Sequence, residues 1–208
     1  MPVVVAFGDS NTWGSSPGTG ARMARDVRWP GVMARSLGPS FEVIEEGLCG
    51  RTTMFDDPEE DGCNGLAYFA PCLRSHAPLD LVIISLGCND VKARFDAAPE
   101  TVAAGAERLI DVALASAAGP DGAAPEAVLV APPPIETLTE YAEMFEGGAE
   151  KALRLPAVYR SLAERRGVGF VDAGQFIRCS PLDGIHYEPD QHLILGAAMA
   201  EAVRMMLV

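Results

Sequence analysis

Five short runs rich in β-branched residues, at 3–7, 41–45, 80–86, 127–131 and 168–172, alternate along this chain with helix-like stretches near 27–37, 64–75, 99–117, 149–166 and 190–206. Two parallel strands can be joined only through a crossover, and a helix is the usual one, so this alternation predicts a parallel sheet covered by helices on both faces. The first run, Val3-Val4-Val5-Ala6-Phe7, is apolar at every position, as expected of a strand buried on both sides. No internal repeat or second composition regime interrupts the pattern, and the turn Gly119-Pro120-Asp121-Gly122 is too short for an interdomain linker. The 208 residues are therefore expected to form one domain, 1–208, with a sizeable core.

Such a sheet binds ligands outside the carboxyl ends of its strands, near the point where strand order reverses. The residues just past those ends are chemically distinctive. Gly8-Asp9-Ser10 follows the first run, Gly47-Leu48-Cys49-Gly50 the second and Gly87-Cys88-Asn89-Asp90 the third, while Asp183-Gly184-Ile185-His186 lies beyond the fifth. Free serine is a weak nucleophile at neutral pH; it needs an imidazole to take its proton, and the imidazole needs an acceptor that fixes its tautomer. Asp183 and His186 stand three apart, so one short turn can carry both, although by itself Asp-x-x-His is more often a helix cap beside a surface histidine. Acyl transfer also builds negative charge on a carbonyl oxygen, which backbone N–H groups and an asparagine amide can stabilise. The N–H groups of Ser10 and Gly50 and the side-chain amide of Asn89 are candidates for that hole.

Those four blocks resemble the SGNH or GDSL hydrolases, whose blocks contribute Ser, Gly, Asn and His in this order, and they span nearly the whole chain. A closer similarity, to the bacterial arylesterase and acyltransferase branch, is carried by Asp26-Val27-Arg28-Trp29, Glu45-Glu46-Gly47-Leu48, Gly50-Arg51-Thr52-Thr53, Phe145-Glu146-Gly147-Gly148 and Asp183-Gly184-Ile185-His186. One departure stands beside the nucleophile, where Asn11 replaces the leucine of the family's name. The resemblance implies an α/β fold of three layers, flavodoxin-like, with a five-stranded parallel sheet. It implies a serine esterase acting on short acyl groups, chiefly acetyl esters of aryl, alkyl or sugar alcohols, with Ser10, His186 and Asp183 as triad. A carbohydrate-ester deacetylase would differ only in leaving group; an inactive carbohydrate-binding module is opposed by the intact Ser10, Gly50, Asn89, Asp183 and His186. It also implies a homo-oligomer, as large as an octamer, with restricted access to the site.

Composition narrows the partners. A net charge of −13 disfavours nucleic acid and anionic membranes, which demand clustered Lys and Arg. Mean hydropathy of +0.14 is high for a soluble monomer and suits buried subunit contacts. Met1-Pro2 runs directly into the first strand without a basic leader or long apolar span, so a cytoplasmic protein is expected. Five cysteines without a Cys-x-x-Cys pair suit reduced thiols; Cys49 and Cys88 adjoin the candidate oxyanion donors, where they are either oxidation-sensitive or small packing residues. His76, His186 and His192 are scattered, so no catalytic metal and no cofactor is expected. The acidic run Asp56-Asp57-Pro58-Glu59-Glu60-Asp61 lacks a calcium-loop ligand pattern and reads as a solvated loop.

Several residues carry two readings. Asp9 is expected to cap backbone N–H groups in preference to touching substrate. Trp13 either lines an acyl or aryl pocket or closes the core. Arg28-Trp29 opens a helix through packing or an ion pair, and Arg51 is expected in a structural salt bridge. The segment from Pro132 to Gly148, holding Tyr141, Met144 and Phe145, is longer than an ordinary strand-to-helix connection and is expected to form a lid, a wall or an interface, with Ile135 and Leu138 bordering the acyl pocket.

Overall fold

The computed structural model describes residues 1–207. All five predicted strands form: β1 (Val3–Gly8), β2 (Glu42–Gly47), β3 (Leu81–Ser85), β4 (Glu126–Ala131) and β5 (Gly169–Asp172). They pair in parallel throughout, in the order β2-β1-β3-β4-β5. The chain steps outward from β1 to β2 and then crosses to the other side for β3, so the reversal of strand order lies between β1 and β3, where Val4 pairs with Leu81 and Gly8 with Ser85.

Strand alternation sends successive β1 side chains to opposite faces. Val5 and Phe7 join Val82, Ile84 and Leu129 under the helices α3 (Gly65–His76), α4 (Pro99–Ala115) and α5 (Gly148–Arg166). Val4 and Ala6 join Leu81, Ile83, Val128 and Val130 on the opposite face, beneath α2 (Trp29–Leu37) and α6 (Pro189–Leu207). A four-residue helix, α1 (Ser10–Trp13), precedes α2 at the carboxyl edge of the sheet. The helix starts follow local chemistry. Proline occupies the first turn of α2 and of α4, where its missing N–H is no loss, and Asn64 caps α3 by accepting from the Ala67 N–H at 3.2 Å. Among the described residues, no helix is long and apolar enough to cross a membrane.

Two expectations about loops are corrected. The acidic run is a solvated loop only in part: Asp56, Pro58, Glu59 and Asp61 are exposed, but Asp57 is buried, with its carboxylate 3.1 Å from Lys92 Nζ and 3.2 Å from an Arg94 guanidinium nitrogen. A carboxylate in a dry interior needs such partners, and here they come from a segment more than thirty residues away. Arg51 is also buried, but in place of a salt bridge it donates to the Gly8 and Glu46 carbonyls and stacks over Phe7, 4.2 Å from the ring centre, and Tyr68. Carbonyl oxygens and aromatic faces serve a guanidinium as well as a carboxylate does. Arg28 forms its ion pair, at 2.7 Å from Glu45, and Trp29 is a core residue.

Candidate active site

Gly8 ends β1 against the start of α1, and its role is close packing: a Cβ there would stand 2.0 Å from Thr12 Oγ1. Asp9 caps the short helix, its carboxylate accepting from the Asn11 N–H at 3.0 Å, as its sequence context predicts. Burial drives the Asp9 carboxyl up, and although the Asn11 N–H and the neighbouring His186 and Arg51 oppose this, it reaches about 6. Ser10 is thereby fixed as the first residue of α1, at the mouth of the β1/β3 crevice.

The loop after β5 brings the other two groups. Gly184, with φ of +83°, closes a turn in which its N–H donates to the Ser180 carbonyl and the Ser180 N–H donates to the His186 carbonyl. Asp183 and His186 face each other across this turn. His186 Nδ1 lies 2.8 Å from Asp183 Oδ2, and His186 Nε2 lies 3.0 Å from Ser10 Oγ. The carboxylate can only accept, so Nδ1 carries the proton and Nε2 is free to accept from the serine hydroxyl. Asp183 also accepts from the N–H groups of Ile185 and His186, each at 2.9 Å, and of Gly18 at 3.3 Å. Burial works against its charge, but the bonds from His186 and the two backbone donors outweigh that and hold the carboxyl at about 2.

Gly50 follows β2 with φ of +76°, a conformation glycine adopts without strain. Asn89 follows β3 in a short 3₁₀ turn and donates one amide hydrogen to the Arg51 carbonyl at 3.2 Å, which leaves the second free. Asp90 fastens the same two loops together, accepting from the Thr53 N–H at 2.9 Å and from the Thr53 hydroxyl. Burial lifts the Asp90 carboxyl to about 7 despite those bonds.

These segments enclose a cavity of about 260 Å³ lined by Ser10, Gly50, Asn89 and His186, so the four blocks meet in one place. The lining is mixed: the hydrophobic side chains of Tyr141, Met144, Phe145 and Ile185 contribute to it, and so do Ser15, Cys49, Glu60 and Lys92. Tyr141 packs edge-on against His186, ring centres 5.9 Å apart. The long segment after β4 is tied to the Asp183–His186 turn by the Glu136 N–H donating to the Gly184 carbonyl and the Thr139 hydroxyl donating to the Leu182 carbonyl.

Trp13, Ile135 and Leu138 are not among the residues that line this cavity: Ile135 is buried in the core, Leu138 packs against the same cluster, and Trp13 stands under Arg22, whose guanidinium lies 5.0 Å from its ring centre. Lys92 and Glu60 were not foreseen as site residues. The signal was faint: Lys92 is one of two lysines in the chain and stands three residues after Asn89. The five cysteines are free thiols, and Cys88 is buried. Burial raises the Cys88 thiol well above its ordinary value, which suits packing over reactivity.

The GDSL-like lipase/acylhydrolase family model matches residues 6–198. Est24, a carbohydrate acetylesterase from Sinorhizobium meliloti, superposes with a TM-score of 0.97 at 39% identity, covering 100% of both chains. The native aryl esterase of M. smegmatis does so with a TM-score of 0.96 at 45% identity, again over 100% of both chains. The structure of a putative arylesterase from Agrobacterium tumefaciens str. C58 gives 0.92 at 40% identity with the same coverage. No curated protein matches the chain. A family model covering most of the sequence and structures alike over their whole length converge with the meeting of the Ser, Gly, Asn and His blocks, and the chain belongs to the GDSL-like lipase/acylhydrolase family of SGNH hydrolases.

Proposed function

We propose that this protein is a serine esterase that hydrolyses short acyl esters, chiefly acetates of aryl, alkyl or sugar alcohols, through Ser10, His186 and Asp183. The observation that carries the reading is the unbroken chain of contacts from Asp183 Oδ2 to His186 Nδ1 at 2.8 Å and from His186 Nε2 to Ser10 Oγ at 3.0 Å.

Ser10 Oγ attacks the ester carbonyl carbon while His186 Nε2 takes its proton. Asp183 holds the ring in the required tautomer and stabilises the imidazolium that forms. The carbonyl oxygen becomes an oxyanion and is met by the N–H groups of Ser10 and Gly50 and by the free amide hydrogen of Asn89. Collapse breaks the bond to the alcohol, which leaves with the proton from His186. Water, activated by the same imidazole, then attacks the acyl-serine, and the carboxylic acid departs. An alcohol taking the place of water gives a new ester, so acyl transfer needs no further machinery. The small cavity limits the acyl group, and the hydrophobic Tyr141, Met144 and Phe145 in its lining suit an aryl or alkyl portion. A sugar-acetate substrate is supported by the likeness to Est24 and by the polar Ser15, Glu60 and Lys92 in the lining.

An organophosphonate or sulfonyl fluoride should modify Ser10 stoichiometrically, and Ser10→Ala should abolish hydrolysis of phenyl acetate with the fold intact by circular dichroism. Labelling of another serine, together with full activity in Ser10→Ala, would refute the assignment.

A further inference from the structure

The polar part of the cavity lining includes a charge cluster that the ester chemistry does not require. Lys92 is buried, and its ammonium lies 3.1 Å from Asp57 Oδ2 and 3.2 Å from Glu60 Oε1. Arg94 contacts Asp57 at 3.2 Å and also pairs with Glu59. Three carboxylates thus share two cations, so the cluster carries one negative charge in excess.

Where that excess is felt follows from exposure. The Asp57 side chain is 0% exposed and sealed behind Lys92. Glu59 is 69% exposed and does not line the cavity. Glu60 is 37% exposed and lines it, beside the oxyanion donors: its Oε2 sits 1.8 Å from where a Cβ on Gly50 would be. Lys92 also reaches the cavity, but two carboxylates already flank its charge. Asp9 and Asp90, buried behind the loops, add negative charge at pH 8, above the values of about 6 and about 7 at which they ionise.

We propose that Glu60, held at the wall by Lys92, sets the charge selectivity of the site, so that esters of neutral or cationic leaving alcohols are accepted and those with anionic leaving alcohols are rejected. The proposal rests on the esterase reading and adds the class of alcohol it acts on. A sphere of 260 Å³ is about 8 Å across, no more than one Debye length in physiological salt, so a charge anywhere in the cavity feels Glu60. Setting a like charge against the unwanted ligand is a common route to specificity.

The test compares kcat/KM at pH 8 and low salt for three para-substituted phenyl acetates: 4-acetoxybenzoate (anionic), phenyl acetate (neutral) and 4-(trimethylammonio)phenyl acetate (cationic). Dividing each charged substrate's value by the neutral one, and the Glu60→Gln ratio by the wild-type ratio, cancels intrinsic leaving-group reactivity. Glu60→Gln should raise the anionic ratio about three- to tenfold and lower the cationic ratio comparably, the size of one charge interaction across a partly solvated cleft. Asp61→Asn, which removes an exposed charge from the same loop outside the cavity, should move both ratios far less than Glu60→Gln does. Unchanged ratios in Glu60→Gln, or equal shifts in Asp61→Asn, overturn the proposal. If Glu60→Gln does not fold, the wild type decides: raising ionic strength from roughly 0.01 M to roughly 1 M should lift the anionic ratio and depress the cationic one, and flat ratios overturn the proposal. A wild type inactive on all three esters would strike the esterase reading itself, which separates that failure from this one.

Discussion

Lys92→Met tests whether the buried cluster beside the active site holds the acidic loop in place. Methionine nearly preserves the side chain's volume, so the substitution removes a charge without opening a large cavity. It leaves Asp57 inside the protein with Arg94 at 3.2 Å as its remaining cation and its bond from the Glu59 N–H at 3.0 Å. Breaking one side of a buried ion pair costs roughly 3–5 kcal/mol, and because Arg94 stays, the lower end, about 3 kcal/mol, is expected. For a chain of this size that corresponds to a fall in Tm of roughly 6–12 °C. The assay is urea and thermal unfolding by circular dichroism at fixed protein concentration, since assembly would make the midpoint depend on it. Adding Asp57→Asn should restore at least half of the loss, because it removes the stranded charge. The loss should also shrink on acidification. Burial raises the Asp57 carboxyl, but the Glu59 N–H and Lys92 hold it below its ordinary value; without Lys92 it protonates more readily and then needs no cation. A destabilisation under about 1 kcal/mol, or a double variant no better than the single one, would refute the argument that this pair is structural.

Asn89→Ala should lower kcat about 10²–10³-fold, roughly 2.7–4 kcal/mol, with a much smaller change in KM; a change confined to KM would make Asn89 a ground-state binding residue. Asn11→Leu removes the amide that donates to the Ile185 carbonyl at 3.3 Å but also removes a buried Oδ1 that has no partner, so stability should change by less than about 1 kcal/mol while kcat falls as the His186 turn loosens. Equal kcat would refute a positioning role for Asn11. The Asp90 carboxyl, raised to about 7, makes the folded state bind more protons than the unfolded chain between about pH 4 and pH 7, so wild-type stability should rise as pH falls through that window. Asp90→Asn lacks this term, and its stability relative to wild type should drop by at least about 1.4 kcal/mol between pH 8 and pH 5; a constant difference in urea titrations would contradict the raised value. The resemblance to oligomeric acyltransferases predicts a stable multimer by light scattering and some benzyl acetate from vinyl acetate plus benzyl alcohol in water, and a monomer yielding only acetate would refute both.

The layers of the fold were legible because the three central strands, β1, β3 and β4, are buried on both sides and so spell short apolar runs, while the helices between strands are long enough to show their own period. The candidate site was legible for a chemical reason: Ser10, Gly50 and Asn89 follow three successive strands and the compact Asp183/His186 pair follows the last, at the sheet edge where such folds bind ligands. The cavity walls were not. Ile135 and Leu138 lie on the expected segment and pack with the core, as Tyr141 and Met144 do, but only the latter two also line the cavity, a difference that local spacing does not encode. Asp57 looked solvated because its partners, Lys92 and Arg94, are brought to it only by the tertiary fold. Arg51 found carbonyls and rings because Phe7 and Gly8 at the end of β1 lie beside it, a contact that no local spacing encodes.

The loops of the site hold one another. Arg51 from the β2 loop donates to Gly8 beside the nucleophile, Asn89 and Asp90 from the β3 loop bond Arg51 and Thr53 in turn, and Asn11 beside Ser10 reaches the Ile185 carbonyl next to the base. Ser10, Asn89 and His186 are therefore tied to one another through these loops, and on the proposed mechanism the electrostatic advantage of the site depends on that prior order. The same arrangement carries a stability cost. Asp9 and Asp90 brace the loops as buried carboxylates whose ionisation burial opposes, so near neutral pH each favours unfolding. Asp183 has the opposite sign, because four donors meet its charge. Its stabilisation is present above the ordinary carboxylate range and is lost as pH falls toward about 2, so the carboxylate that orients the base also helps to offset the cost of the two that brace the loops.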